Sequence, residues 1–81
     1  MASDLRRAVE LMEKGDWQTA HAIVQEDEDS RLFCWAHGIV HLMEGDISNA
    51  RYWYRKARRP PFSEAPSIAG EIRALKAEIG V

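Results

Sequence analysis

Cys34, His37, His41 and Glu44 stand in CWAHGIVHLME at intervals of three, four and three residues. At about 100° per residue they share one helix sector of roughly 80°. Imidazoles four residues apart on a helix face can chelate a divalent metal, and a carboxylate one turn further adds a third ligand. Zinc sites draw their ligands from two elements, however, and the chain holds no second HxxxH and no CxxC. No metal is therefore expected. The cluster His37, His41, Glu44 and Asn49 is instead expected to be a buried polar network between two helices. Asn49, Tyr52 or Arg51 would be the partners of the histidines, because buried polar groups need partners. Cys34 beside His37 has the parts of a nucleophile and base, but no thiolate-stabilising group or oxyanion hole is legible. A Gly-rich phosphate loop, a Walker motif and a serine elbow are missing too. A chain without catalytic residues or cofactor is expected.

The second stretch with chemical content is RYWYRKARR, residues 51–59. By helix angle, Ala50, Tyr54 and Ala57 share a core face with Trp53 beside them, while Arg51, Arg55 and Arg58 share another. Binding of nucleic acid by stacking needs exposed rings among the basic groups, and Tyr52 alone offers one. Nucleic-acid binding through Arg51, Arg55, Lys56, Arg58 and Arg59 thus ranks below a solvated or salt-bridged face, or an acidic protein partner.

The chain of 81 residues is long enough for one domain with a modest core. One cysteine precludes an internal disulfide and fits a reducing cytoplasm. The start has no unbroken apolar run, and no stretch approaches the ~20 apolar residues of a membrane span. An unexported protein without membrane contact is expected. The net charge of −2 conceals an asymmetry. Residues 1–50 carry ten acidic and four basic side chains, residues 51–81 three acidic and seven basic. That split suits docking, self-association or an anionic partner.

Apolar spacing positions these residues on helices throughout. Leu5, Val9 and Met12 define a first helix over 4–14, with Ser3 as its N-cap. Gly15 ends it and Asp16 caps a second, from Trp17 to Gln25, with Trp17, Ala20, Val24 and Ile23 inward. EDEDS, residues 26–30, is a polar turn. A third helix from Arg31 to Met43 carries Leu32, Trp35, Ile39 and Leu42 on one stripe. Gly45 and Asp46 repeat the corner, a fourth helix follows from Ile47 to Arg58, and Pro60 and Pro61 stop it. Ile68, Ile72, Leu75 and Ile79 mark a last helix over 66–79, closed by Gly80. No strand pattern is present.

An internal repeat has an offset of 30 residues: Gly15-Asp16 aligns with Gly45-Asp46, Ala20 with Ala50, and Val24 with Tyr54. The order Gly38, Gly45, Ala50, Tyr54, Ala57, Pro60 resembles the tetratricopeptide repeat family, although the proline arrives about two residues early. Residues 35–60 also resemble a group of short bacterial proteins with a W-x-H…H-x-x-E-G-D…N-A-x-Y-W-Y-R-R pattern. The likeness rests on Trp35, His37, His41, Glu44, Gly45, Asp46, Asn49, Ala50, Tyr52, Trp53, Tyr54 and Arg55. It implies a helical fold and names no activity.

Apolar periodicity over the whole chain, with a tetratricopeptide resemblance over about 4–61, makes an all-α single domain over 1–81 the expected fold. It would hold two tetratricopeptide-like hairpins (4–26 and 31–59) and a C-terminal capping helix, about five helices in all. In that register Cys34, His37 and His41 occupy places that normally hold large apolar residues. The first helices of the two hairpins would line a groove that receives peptides, here Leu5, Val9, Met12, Trp35, Ile39, Leu42 and Met43. So large an apolar surface needs cover, which the last helix would supply on its own chain or on a second copy as a homodimer. The expected function is a noncatalytic protein-interaction module or small adaptor. Its candidate partner-binding residues are Trp35, Ile39, Leu42, Met43, Arg51, Tyr52 and Arg55. Metal or small-ligand binding at His37, His41 and Glu44 is the alternative from another class.

Overall fold

Aspartate and serine caps and left-handed glycines set most of the helix ends. The computed structural model describes residues 2–80 and contains α1 (Ala2–Glu13), α2 (Trp17–Val24), α3 (Arg31–Glu44), α4 (Ile47–Lys56) and α5 (Ile68–Ile79). The fold is all-α, with no strand among the described residues. None of these helices is long and apolar enough to cross a membrane. Helix α1 begins at Ala2, so Ser3 lies inside it and is not its cap. The other four have caps whose side chains accept from a backbone N–H three residues on: Asp16 from Thr19, Ser30 from Phe33, Asp46 from Asn49 and Ser67 from Gly70. The last helix consequently starts at Ile68 rather than Pro66.

The two Gly-Asp corners are built alike. Gly15 and Gly45 have φ of 84° and 85°. Each glycine N–H bonds back three residues and each following aspartate N–H five, to Leu11 and His41 respectively, which is the Schellman arrangement. Helix α4 ends the same way without a glycine: Arg58 N–H reaches Arg55 O and Arg59 N–H reaches Tyr54 O. Arg58 therefore adopts φ 60°, a left-handed conformation that costs an L-residue ~1–2 kcal/mol. The helix closes at Lys56, before the prolines act, and Arg58 falls out of line with Arg51 and Arg55.

Helices α1 and α2 pack across the first corner, α3 and α4 across the second, and α2 lies against α3. Helix α5 packs on both α1 and α3. Ile72 and Leu75 are buried there with Leu5, Val9, Met12, Trp35, Ile39 and Leu42. A salt bridge of 2.9 Å from Lys76 to Glu13 closes the α5–α1 seam. The chain's own last helix thus covers the apolar surface. Trp35, Ile39 and Leu42 are core residues, and Met43 is half-buried.

Gly38 marks the closest approach of α3 and α4. A Cβ there would sit 2.4 Å from Tyr54 Cδ1 and 2.7 Å from Cε1. Tyr54 cannot step aside freely, because its hydroxyl donates to Glu71 Oε1 at 2.5 Å. Gly38→Ala is expected to destabilise the fold by about 1–3 kcal/mol, despite a helix-propensity gain of about 1 kcal/mol. Urea unfolding measures this, and an unchanged midpoint would show that the ring yields.

Candidate metal centre

The α2–α3 seam brings three histidines together. His37 and His41 are buried on α3, and His21 reaches them from α2, half-buried. Nε2 of His37 lies 3.2 Å from Nε2 of His21. The ring centroids are 4.9 Å apart for His21–His37, 5.3 Å for His21–His41 and 5.0 Å for His37–His41. One nitrogen from each ring can be chosen so that all three lie within 4.8 Å of one another.

Tetrahedral ligation at the zinc–imidazole distance of about 2.0–2.1 Å places two ligand nitrogens about 3.3 Å apart. The His21–His37 pair already stands at that separation. The third nitrogen would have to close by no more than about 1.5 Å to complete the triangle. His41 is oriented for this from behind. Its Nδ1–H donates to Glu44, one turn on, so Nε2 is the ring nitrogen left to face the cluster. A ligating imidazole that gives its other N–H to a carboxylate is the usual outer-sphere arrangement of histidine metal sites.

His37 is also held by α4. Its ring stacks on Trp53 of α4 at a centroid distance of 3.9 Å and an interplanar angle of 10°. Its Nδ1 is shut off from solvent and has no partner among the described residues. Burial lowers its pKa to about 4, and the neighbouring His41 and His21 imidazoles add to the effect. The ring is therefore neutral near pH 7, the form that ligates. An orphaned buried polar nitrogen costs about 1–3 kcal/mol, so an apolar side chain would fill this seam at less expense.

A pH dependence of the metal-free chain follows. An unfolded histidine takes up its proton near pH 6.5, whereas native His37 does so only near pH 4. Between those values the unfolded state holds more protons, and stability falls as pH falls. The His37 contribution is complete above about pH 6.5 and is lost at up to about 1.4 kcal/mol per unit down to about pH 4. Urea melts at pH 7, 6 and 5 check it, and a flat midpoint would contradict the burial.

The remaining expected site residues lie elsewhere. No histidine bonds to Asn49, Tyr52 or Arg51, so the network joins α3 to α2 and not to α4. Asn49 instead donates from Nδ2 to Asp46 Oδ2 at 2.7 Å, and this bond holds the Asp46 carboxyl below the usual range. Asp46 stands near His41 and Glu44, but both its oxygens accept from Asn49, Oδ1 from the backbone N–H and Oδ2 from the side chain. Cys34 turns toward the 26–30 turn, donating Sγ–H to Glu28 O at 3.2 Å, and burial raises its pKa. It is a packed thiol with no tie to the histidines. Arg51 donates to Ser63 O at 3.1 Å. Tyr52 is 46 % exposed, and Trp53 and Tyr54 are buried.

Sequence reasoning passed over His21 and Glu71. Glu71 of α5 accepts from Trp35 Nε1 at 3.1 Å and from Tyr54 on the same oxygen, tying α3, α4 and α5 at one point. Comparison with known proteins returned no matching family profile, no similar curated protein and no similar solved structure.

Proposed function

We propose that this chain is a small noncatalytic helical module that binds one divalent first-row metal ion of the zinc class through His21, His37 and His41. The observation that carries this is the convergence of three imidazoles from two helices, with the His21 and His37 Nε2 atoms at 3.2 Å. Imidazole suits zinc, nickel and copper, and three such ligands leave a fourth position for water or a further group. Half-buried His21 gives the cluster its access to solvent. A bound ion would clasp α2 to α3 across the seam between the two corners. The buried, unpaired Cys34 fits a reducing compartment such as the cytoplasm.

An adaptor role through the apolar groove is the weaker account, because α5 fills that groove. Support for a partner comes from the cationic side of α4. Titration of the chelator-stripped chain with cobalt(II), followed by visible absorption, tests metal binding. The expected result is an intense tetrahedral-type spectrum that saturates at one ion per chain and is displaced by zinc. A weak spectrum like that of hydrated cobalt throughout would overturn the proposal.

A further inference from the structure

A second feature stands apart from the histidines, on the side of α4 that faces the chain following it. Arg51 and Arg55 are one turn apart on the helix, and the left-handed Arg58 turns the chain so that Arg59 comes back toward the core. Arg59 sits over Trp35, its guanidinium carbon 3.9 Å from the indole centre. With Tyr54, Pro61 and Phe62 these three arginines line a cleft of about 300 Å³. The Tyr54 and Phe62 rings meet edge to face at 5.3 Å, and Arg51 sits 5.4 Å over Phe62. The cleft is therefore apolar below, cationic at its rim, and free of any lining carboxylate.

Two of its cations lack an anionic partner. Arg55 makes no hydrogen bond or ion pair among the described residues. The Nε of Arg59 is closed off from water and has no acceptor among the described residues, a desolvation cost that the Trp35 ring offsets only in part. Arg51, by contrast, is already held in place by Ser63 O, so ordering it costs a ligand little. Glu71 lines the adjoining cavity with Tyr54, Arg59 and Phe62, but its Oε1 accepts from Trp35 and Tyr54, and it forms no ion pair with Arg59 among the described residues.

We propose that this cleft binds a small aromatic acid, its flat body against Tyr54 and Phe62 and its carboxylate on Arg55 and Arg59. Guanidinium groups bind carboxylates through strong charge-assisted bonds, and an aromatic body matches the apolar floor. The volume is at the small end of ligand pockets and suits one or two fused rings. A nucleic-acid strand is disfavoured, since it needs a succession of exposed rings along a basic track. Here the one exposed large ring, Tyr52, is not part of the cleft.

The test is a series of ¹H–¹⁵N NMR titrations of the full chain with 2-naphthoate, 2-naphthylmethanol, inorganic phosphate and a short single-stranded oligothymidylate. Saturable shifts of the Arg59 Nε–H and of the Phe62 amide with 2-naphthoate are expected. The neutral alcohol and phosphate alone should each bind about tenfold more weakly or worse, the equivalent of one charged contact or of the apolar body lost. Arg55→Gln alters an exposed side chain, so its spectrum should otherwise match wild type, while naphthoate affinity falls about tenfold. Equal binding of the alcohol, no shift with naphthoate, an unaffected Arg55→Gln, or tighter binding of the oligonucleotide would each overturn the proposal. Metal content does not enter these readouts, so this site and the histidine site fail or stand separately.

Discussion

Trp35→Ala is expected to remove most of the stability of this domain. Trp35 is 2 % exposed at the junction of α3 and α5. Truncating a buried tryptophan costs about 3–5 kcal/mol through lost burial and the cavity left behind. The change also takes a donor from Glu71 and the ring from beneath the Arg59 guanidinium, leaving partly buried charge poorly compensated. A chain of 81 residues has on the order of 4–12 kcal/mol in all. Far-ultraviolet circular dichroism in urea should show the variant largely unfolded or melting at a far lower midpoint. Trp35→Phe keeps a buried aromatic ring, though a smaller one, and removes the Nε1–H donor, so it should cost much less than Trp35→Ala. A Trp35→Ala midpoint within about 1 kcal/mol of wild type would contradict the packing described.

His21→Ala is expected to leave the fold in place and weaken zinc binding by more than about a hundredfold. Losing an outer-sphere partner alone lowers metal affinity by about 10–100-fold, which is the effect expected of Glu44→Gln through His41. Removing one of three ligands must exceed that. His21 is half-buried at the edge of the seam, so its truncation opens little cavity. Competition against a chromophoric chelator measures both variants. Equal zinc affinity in wild type and His21→Ala would mean that the α2 imidazole takes no part.

The fold was far more legible than this site, and particular residues show why. Helix ends are local events. Gly15-Asp16 and Gly45-Asp46 announce a left-handed residue followed by a cap, and both corners form as the residue types require. Ile68, Ile72, Leu75 and Ile79 announce an apolar stripe, and the buried pair Ile72 and Leu75 covers the α1–α3 surface. The end of α4 was less legible, because a Schellman turn centred on Arg58 carries no glycine to mark it.

The site depends on which helices are neighbours, and that is not local. HxxxH supplied His37 and His41, but His21 stands sixteen residues before His37 on another helix, in TAHAIV, with no motif of its own. A usable signal did exist. In a stack of helix pairs, the second helix of one pair packs on the first helix of the next. A histidine directly after the buried Ala20 therefore belongs near that seam. Tyr52, Arg51 and Asn49 were instead expected as partners because the tetratricopeptide register turns the His37 and His41 positions toward the second helix of their own hairpin. The lining of the cleft was hidden in the same way, since Arg59 and Phe62 come together only through the left-handed turn before them.

The most direct measurement is a long-range ¹H–¹⁵N NMR spectrum of the imidazole rings of the chelator-stripped chain, recorded as zinc is added to one equivalent. The account predicts that the Nε2 resonances of His21, His37 and His41 move together and stop at one ion per chain, while His41 Nδ1 stays protonated and bonded to Glu44. Ring nitrogens that do not move, or movement of His41 alone, would contradict a three-histidine centre.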